Sequence, residues 1–229
     1  SIIMTKNYSL NINKNWHDYL IDYVNFDELK KVITYLNSEI NNGLEIFPKD
    51  DLLFNAYNLC ALSDVKVVIF GQDPYPKNGQ ADGLSFSSNF DNEIPKSLAN
   101  IFKEIESDLG IINTSPELKN WAHQGVLLLN RYLSVEEGKP QSHSSIGWDN
   151  LTIATIKLLN DKRQNIVYLL WGNESKKLAE FINDEKNLVL KSPHPSPLSA
   201  YRGFLGCKHF SKANNYLKSY NKEPINWST

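Results

Sequence analysis

The sequence predicts an α/β protein, a single-domain three-layer α/β/α sandwich around a central, mainly parallel four-stranded sheet. Short apolar runs without alternating polar residues are typical of strands buried on both faces of a parallel sheet. Helical stretches separate these runs, and such alternation favours parallel pairing through right-handed crossover connections. No Pro/Gly/Ser-rich linker divides the 229 residues, so we expect one domain over 1–229. The strands are expected at 67–70, 126–129, 166–170 and 188–190.

Apolar residues at three- and four-residue spacing predict the helices between these strands. The stripe in the first helical region, from Phe26 to Leu36, indicates packing against the core. Gly110 is well placed to end the helix that begins at Pro95 or Ser97. Residues 1–12 are expected to form a poorly ordered N-terminal extension. The helices are expected, in chain order, at 16–40, 52–62, 95–109, 148–159 and 175–182.

Composition limits the class of protein and its compartment. A hydrophobic fraction of 41% and five Trp residues predict a packed globule, and no apolar run is long enough to cross a membrane. The first residues contain no basic segment leading into an apolar one, so we expect a cytoplasmic protein. Cys60 and Cys207 are too few for a disulfide framework or a four-cysteine iron–sulfur cluster. Since no HExxH, paired CxxC or P-loop motif occurs, we expect no cofactor and no metal.

The charge is unevenly distributed along the chain. A net charge of −2 argues at first against binding to a polyanion such as DNA. However, the segment from Lys191 to Tyr220 contains five basic residues and no Asp or Glu. A solvated helix face would explain Lys208, Lys212 and Lys218, but not the missing carboxylates. We call this segment, 191–220, the basic strip, and its composition is compatible with contact to a nucleic acid.

The stretch from Val65 to Ser87 (VKVVIFGQDPYPKNGQADGLSFS) is the most informative part of the chain. Its apolar strand stops at Gly71 and opens into a loop, and ligands of parallel α/β sheets bind beyond the carboxyl ends of the strands. Asp73, Tyr75 and Phe86 then share one crevice. The alternative is an ordinary surface turn in which the Asp73 side chain accepts backbone N–H bonds.

The loop motifs GQDPY and GQADGLSFS resemble the water-activating loop of the family 1 uracil-DNA glycosylases. The resemblance continues in order through PKSLANIFKE, GVLLLN, SHSSIGWDNLT, LLWG and HPSPLSAYRGFLGCKHF, and covers most of the chain after residue 65. It implies a monofunctional hydrolase of DNA base-excision repair that cleaves the N-glycosidic bond of deoxyuridine in single- and double-stranded DNA. Uracil would be released and an abasic site would remain. The implied partners are uracil-containing DNA and viral inhibitor proteins that mimic DNA, and the implied state is a monomer.

The resemblance also implies roles for residues around the base. Asp73 would stabilise the cationic sugar and orient or deprotonate water, and His194 would stabilise the departing base anion. An amide can match the carbonyl and N–H edge of uracil but not the reversed edge of cytosine, which is the implied role of Asn130. Tyr75 would exclude the thymine methyl group, and the base would stack on Phe86. The implied uracil-binding residues are Gln72, Tyr75, Phe86 and Asn130.

A paired base must be flipped out of the duplex before it can enter such a pocket. Leu198 in HPSPLS matches the family's apolar wedge, which enters the vacated base stack. The other residues matched to DNA contacts are polar or basic, although such serines are individually more often turn residues. They are Ser97, Asn173, Ser196, Ser199 and Arg202.

Three positions depart from the family pattern. Pro76 replaces a histidine after GQDPY, Asp82 replaces a histidine in AHGL, and Asn173 replaces a serine after LWG. A carboxylate close to Asp73 would raise the pKa of Asp73 and oppose catalysis at low pH. We therefore expect Asp82 to face solvent. The departures leave an alternative function open, a catalytically weakened relative that binds uracil-containing or damaged DNA.

Overall fold

The computed structural model describes residues 7–89 and 91–229. Four of its strands form a parallel sheet in the order β3-β2-β5-β6, and β1 and β4 form a separate antiparallel pair. Within the described ranges the strands are β1 (Ile46–Phe47), β2 (Val67–Gly71), β3 (Val126–Asn130), β4 (Val135–Glu136), β5 (Val167–Trp171) and β6 (Leu188–Ser192). The helices are α1 (Lys14–Leu20), α2 (Phe26–Asn41), α3 (Asn55–Asn58), α4 (Lys96–Leu109), α5 (Lys119–His123), α6 (Trp148–Lys162), α7 (Asn173–Lys176) and α8 (His209–Ser219). Single 3₁₀ turns cover Asp50–Leu52, Leu62–Asp64, Lys177–Phe181 and Ala200–Arg202.

The central sheet confirms the predicted α/β class. Strands β2, β3 and β5 are buried at every position, which explains their continuous apolar runs. Because all four strands are parallel, their carboxyl ends lie at the same edge. Gly71 pairs with Asn130 there, and Trp171 pairs with Ser192. The loops after β2, β3, β5 and β6 therefore meet at one edge of the sheet.

Two predicted helices are interrupted by polar side chains that bind the backbone. The region 16–40 contains α1 and α2, because the Asn25 side chain accepts the backbone N–H bonds of Asp27 and Glu28 and so begins a new helix. The region 52–62 contains α3 flanked by 3₁₀ turns instead of one helix. There, the Trp16 indole donates to the Cys60 carbonyl at 2.7 Å. This carbonyl therefore binds a distant side chain instead of a backbone N–H of the same helix.

The remaining helix boundaries follow from glycine positions. Gly110 ends α4 in the left-handed conformation at φ 74°, as predicted. The helix expected at 175–182 begins earlier, at Asn173, directly after Gly172, and continues as a 3₁₀ turn. The pair β1–β4 was not predicted, because two residues are too few for a period-two pattern. No helix in the described ranges is both long enough and apolar enough to cross a membrane.

The N-terminal segment differs from the expectation of a poorly ordered extension over 1–12. Residues 1–6 lie outside the described residues, but residues 7–12 pack on the body of the protein. Tyr8 is 4% exposed, and its hydroxyl donates to the Pro48 carbonyl at 2.6 Å. Its backbone N–H donates to the Asn37 side chain at 2.8 Å. The expectation is therefore wrong for residues 7–12, because a buried tyrosine and Ile12 anchor them.

Candidate active site

A pocket of about 240 Å³ opens at the edge where the strands end. This volume is below the ~300–1,000 Å³ usual for sites that hold drug-sized ligands, so it suits a ligand as small as one base. The loop after β2, the end of β3, the start of α4 and the loop after β6 form its walls. The sequence-predicted residues that line it are Gln72, Asp73, Tyr75, Phe86, Ser97, Asn130 and His194.

Asn130 at the end of β3 is the most unusual polar group in this pocket. Its side chain is 6% exposed, and its amide has no hydrogen-bond partner among the residues that the structure describes. Gly71 makes room for it, since a Cβ at position 71 would lie 2.3 Å from the Asn130 Oδ1. Buried polar groups are nearly always hydrogen-bonded, so an unpaired amide lining a cavity is available to a ligand.

Asp73 lies half-buried in the loop after β2. Its Oδ2 accepts the backbone N–H of Gln141 at 2.7 Å, which fixes the direction of the carboxylate. Burial raises the Asp73 pKa above its usual value, and the bond from Gln141 partly offsets that effect. Pro76, which also lines the pocket, contributes no side-chain donor. The result is an oriented carboxylate that is a stronger base than a solvated one.

His194 in the loop after β6 is held in one tautomer. Its Nδ1 accepts the backbone N–H of Ser196 at 2.9 Å, and burial lowers its pKa. The ring is therefore neutral near pH 7, with its proton on Nε2. Gly172 permits this position, because a Cβ there would lie 3.1 Å from the His194 Cβ. Nε2–H is thus a hydrogen-bond donor that carries no charge.

Tyr75 and Phe86 form a linked aromatic wall. The Tyr75 hydroxyl donates to the Phe86 carbonyl at 2.7 Å, and burial keeps that hydroxyl protonated by raising its pKa. The Phe86 ring lies 6.0 Å from the His194 ring and 5.6 Å from the Trp171 ring, measured between centroids. Phe86 has a φ of 64°, a region that residues other than glycine rarely adopt. A strained backbone beside a pocket indicates a position that the surrounding contacts determine.

The expectation that Asp82 faces solvent is wrong. Asp82 is 8% exposed and accepts two hydrogen bonds, from the Leu84 backbone N–H at 3.0 Å and from the Ser87 hydroxyl at 2.5 Å. These donors compensate for the loss of solvent, which is why a carboxylate can be buried here. The Asp82 pKa is raised to about 6, because burial outweighs the lowering by the two donors and Glu117 adds a smaller upward effect.

The loop after β6 forms an exposed rim beside the pocket, and we call residues 194–202 the rim loop. Leu198 in this loop is 82% exposed. The Ser199 hydroxyl donates to the His194 carbonyl at 2.8 Å, and the Ser196 hydroxyl oxygen accepts the Leu198 N–H at 3.3 Å. Exposed Arg202 stacks over the ring of Tyr201, with 5.6 Å between its guanidinium carbon and the ring centroid. The rim loop thus presents an apolar side chain on a backbone held by serines.

The polar residues matched to DNA contacts in other loops lie at the starts of two helices. Ser97 is in the first turn of α4 and lines the pocket, whereas Asn173 is exposed at the start of α7. The contact from Gln141 to Asp73 was missed in the sequence. It uses a backbone N–H, so no side-chain type marks it, and only the φ of 64° at Gln141 distinguishes this position. Within the described ranges, no three His, Cys, Asp or Glu side chains are grouped to hold a metal ion.

Comparison with known proteins identifies the family. Residues 57–218 match the model of the uracil DNA glycosylase superfamily, which is more than half of the chain. The chain belongs to the uracil DNA glycosylase superfamily. A uracil-DNA glycosylase of Campylobacter jejuni (strain RM1221) is 50% identical over 222 residues, covering 95% of this chain and 94% of that protein. One of Phocaeicola vulgatus is 47% identical over 220 residues, covering 96% and 100%.

A solved structure of the superfamily shares the fold. The crystal structure of mimivirus UNG Y322F in complex with UGI superposes with a TM-score of 0.90 at 28% identity, and covers 97% of this chain and 92% of that chain. The resemblance stated from GQDPY and HPSPLS is therefore confirmed at the level of the superfamily.

Proposed function

We propose that this superfamily member is a monofunctional uracil-DNA glycosylase of base-excision repair. It hydrolyses the N-glycosidic bond of deoxyuridine in single- and double-stranded DNA, releases uracil and leaves an abasic site. Its relatives at about half sequence identity are named as uracil-DNA glycosylases. The observation that carries the proposal is the buried, unpaired amide of Asn130 in a pocket of base size.

The Asn130 amide matches the edge of uracil. Uracil presents a carbonyl acceptor at O4 and an N–H donor at N3, and one primary amide can donate to the first and accept from the second. Cytosine presents the reversed pattern at these positions. A buried amide left mismatched rejects such a base by ~10⁴-fold or more, because its polar atoms stay unpaired. Gln72 lines the same pocket and is proposed as a further uracil contact.

Bond cleavage needs an anion beside the sugar and a donor beside the base. The Asp73 carboxylate stabilises the oxocarbenium-like sugar and orients or deprotonates the attacking water. His194 donates from Nε2 to the uracil carbonyl, where negative charge accumulates as the base leaves. Because the His194 ring is neutral, its Nε2–H stabilises that charge as a hydrogen-bond donor and keeps its proton. One preorganised donor of this kind is worth ~3–4 kcal/mol in the transition state.

The rim loop and the basic strip provide the DNA contacts. Leu198 enters the stack that the flipped nucleotide leaves, and Ser97, Asn173, Ser196, Ser199 and Arg202 contact the flanking phosphates. The five basic residues of the strip are exposed, and none forms an ion pair with a residue in the described ranges. Their charge is therefore available to a phosphate backbone.

The proposal extends to partners and compartment. The mimivirus relative was crystallised with UGI, so we propose that viral inhibitor proteins that mimic DNA also bind this protein at its rim. We further propose that the protein acts as a cytoplasmic monomer.

The direct test is release of uracil from a single-stranded oligonucleotide that contains one deoxyuridine, detected by alkaline cleavage of the abasic site. A matched oligonucleotide with thymidine is the control. We expect cleavage of the first and not of the second. A protein that retards the deoxyuridine oligonucleotide on a gel without releasing uracil would instead be the weakened binding relative that Pro76 and Asp82 left open.

A further inference from the structure

The carboxylate of Asp82 belongs to a small network that the reaction itself does not use. Its Oδ1 accepts from the Leu84 N–H, and its Oδ2 accepts from the Ser87 hydroxyl. The Ser87 oxygen in turn accepts the backbone N–H of Leu118 at 3.0 Å, so its own proton is free to point at Asp82. Both carboxylate oxygens are therefore occupied by donors from the segment that follows Asp82.

That segment, residues 82–87, is held on both sides. The Asn55 side chain donates to the Asp82 carbonyl at 2.8 Å. Gly83 lies so close to the 3₁₀ turn Asp50–Leu52 that a Cβ would meet the Leu52 carbonyl oxygen at 2.0 Å. The Ser85 hydroxyl donates to the Ile69 carbonyl at 3.1 Å, which ties the segment to β2. The carboxylate closes the turn internally, and these contacts dock it on the body of the protein.

Phe86 lies between Leu84 and Ser87, the two residues that donate to the Asp82 carboxylate. Its left-handed backbone is unfavourable for an aromatic residue and persists only where neighbouring contacts enforce it. The same backbone supplies the carbonyl that accepts from the Tyr75 hydroxyl. Asp82 also lies near enough to Tyr75 to raise the pKa of that hydroxyl. A shift of the turn would therefore move the Phe86 ring and release the hydroxyl of Tyr75.

We infer that Asp82 is a positioning residue for base selection. Through its bonds to Leu84 and Ser87, it fixes the position of the Phe86 ring relative to the Tyr75 ring. This inference rests on the proposed function, because it assigns Phe86 and Tyr75 to the uracil pocket. Asp82 is not among the residues that line the pocket. It acts by fixing the distance between the ring on which the base stacks and the ring that leaves no space for a methyl group at C5.

The test is the affinity for free uracil and free thymine, measured by NMR titration of the intact protein. The variants are Asp82→Leu, which leaves both donors unpaired, and Asp82→Asn, which keeps an acceptor for Leu84. The control is Glu117→Gln, which removes a nearby negative charge but none of the bonds to the turn. Thermal unfolding of each variant identifies a temperature at which all of them are folded.

We expect Asp82→Leu to raise the uracil Kd by at least about fivefold and the thymine Kd by less, because a displaced wall loses its fit to uracil and admits the methyl group. The thymine Kd divided by the uracil Kd should therefore decrease in Asp82→Leu. In Asp82→Asn this ratio should be partly restored. Glu117→Gln should leave both values within about twofold. A loss of stability alone would not change this ratio, since the measurements are made on folded protein.

Two results would overturn the inference. One is a folded Asp82→Leu variant with both Kd values within about twofold of the natural protein, which is the scale of an ordinary surface substitution. The other is an equal loss of affinity for uracil and thymine, which indicates general loosening of the pocket. If Asp82→Leu does not fold, Ser87→Ala carries the same expectations, because it removes the donor to Oδ2 and retains the carboxylate. The titrations do not depend on turnover, so a protein that releases no uracil would contradict the proposed function alone.

Discussion

The pocket and the rim loop meet at one edge of the sheet but are built in opposite ways. In the pocket, Asn130 is 6% exposed, and the neighbouring Asp73 and His194 are each oriented by a backbone N–H. In the rim loop, Leu198 is 82% exposed. Serine side chains fix the backbone of that loop, but nothing in the described part of the chain covers the leucine.

This difference indicates separate roles for the pocket and the rim loop. The groups of the pocket are arranged before DNA arrives, so they can act on any deoxyuridine that enters. An exposed leucine gains roughly 1.5–3 kcal/mol when it is fully buried, and in the proposed complex with DNA the base stack buries Leu198. The rim should therefore contribute where a nucleotide must be flipped from a duplex, and little on a single strand.

The largest expected effect is that of Asp73→Asn. The variant keeps the size of the side chain but removes the charge and the basic oxygen that we propose stabilise the sugar and activate water. We expect its single-turnover rate on single-stranded substrate to fall by at least about a hundredfold, within the range of general-base effects. The rate is measured by quenched release of uracil. A nearly silent substitution would show that the loop after β2 is not the catalytic loop.

Asn130→Asp tests whether the pocket reads the base edge. A protonated carboxyl presents the reversed donor and acceptor pattern, so discrimination against cytosine should weaken by at least about tenfold from ~10⁴-fold. The measurement compares rates on oligonucleotides with one deoxyuridine and one unpaired deoxycytidine. The control is binding to abasic DNA, which should persist. A folded variant that binds abasic DNA and releases no cytosine would count against Asn130 as the base reader.

The pH dependence of the rate should originate in the pocket. The proposed mechanism requires ionised Asp73, and burial raises the pKa of this carboxyl, so we expect the rate to fall as the pH decreases through that raised pKa. Below it, the rate should drop by about tenfold per pH unit, beginning above the usual Asp value of ~3.9. Burial lowers the His194 pKa, so this ring takes up a proton at a lower pH than a solvated imidazole does. Asp73→Asn should flatten the acid limb on single strands, and an unchanged limb would assign it to another group.

Pro76→His restores the histidine of the family pattern beside Asp73 and has the smallest expected effect. The Asp73 carboxylate is already oriented by Gln141, so an added imidazole should change the single-stranded rate by less than about tenfold. Pro76→Ala is the control for loss of the rigid ring. An acceleration of a hundredfold or more would mean that the natural protein is a weakened enzyme, and would favour the binding alternative.

Much of the pocket could be predicted from the sequence, because its residues follow directly after buried strands. Parallel strands bring Asp73, Asn130 and His194 to one edge once the four apolar runs are assigned. Asp82 could not be placed in this way, because its burial depends on donors from Leu84 and Ser87 that form only in the folded turn. The same holds for the break near Cys60, where a contact from Trp16 competes with local helix propensity.

The division between pocket and rim is tested most directly by the ratio of single-turnover rates on duplex and single-stranded deoxyuridine, measured for Leu198→Ala. Only the duplex must be unstacked, so we expect this variant to lower the duplex rate by about tenfold, the equivalent of about 1.4 kcal/mol, and to leave the single-stranded rate within about twofold. Asp73→Asn is the matched comparison, since it should lower the single-stranded rate at least as much as the duplex rate. Equal losses on both substrates in Leu198→Ala would contradict the account, because the rim would then serve the chemistry and not the flipping of the base.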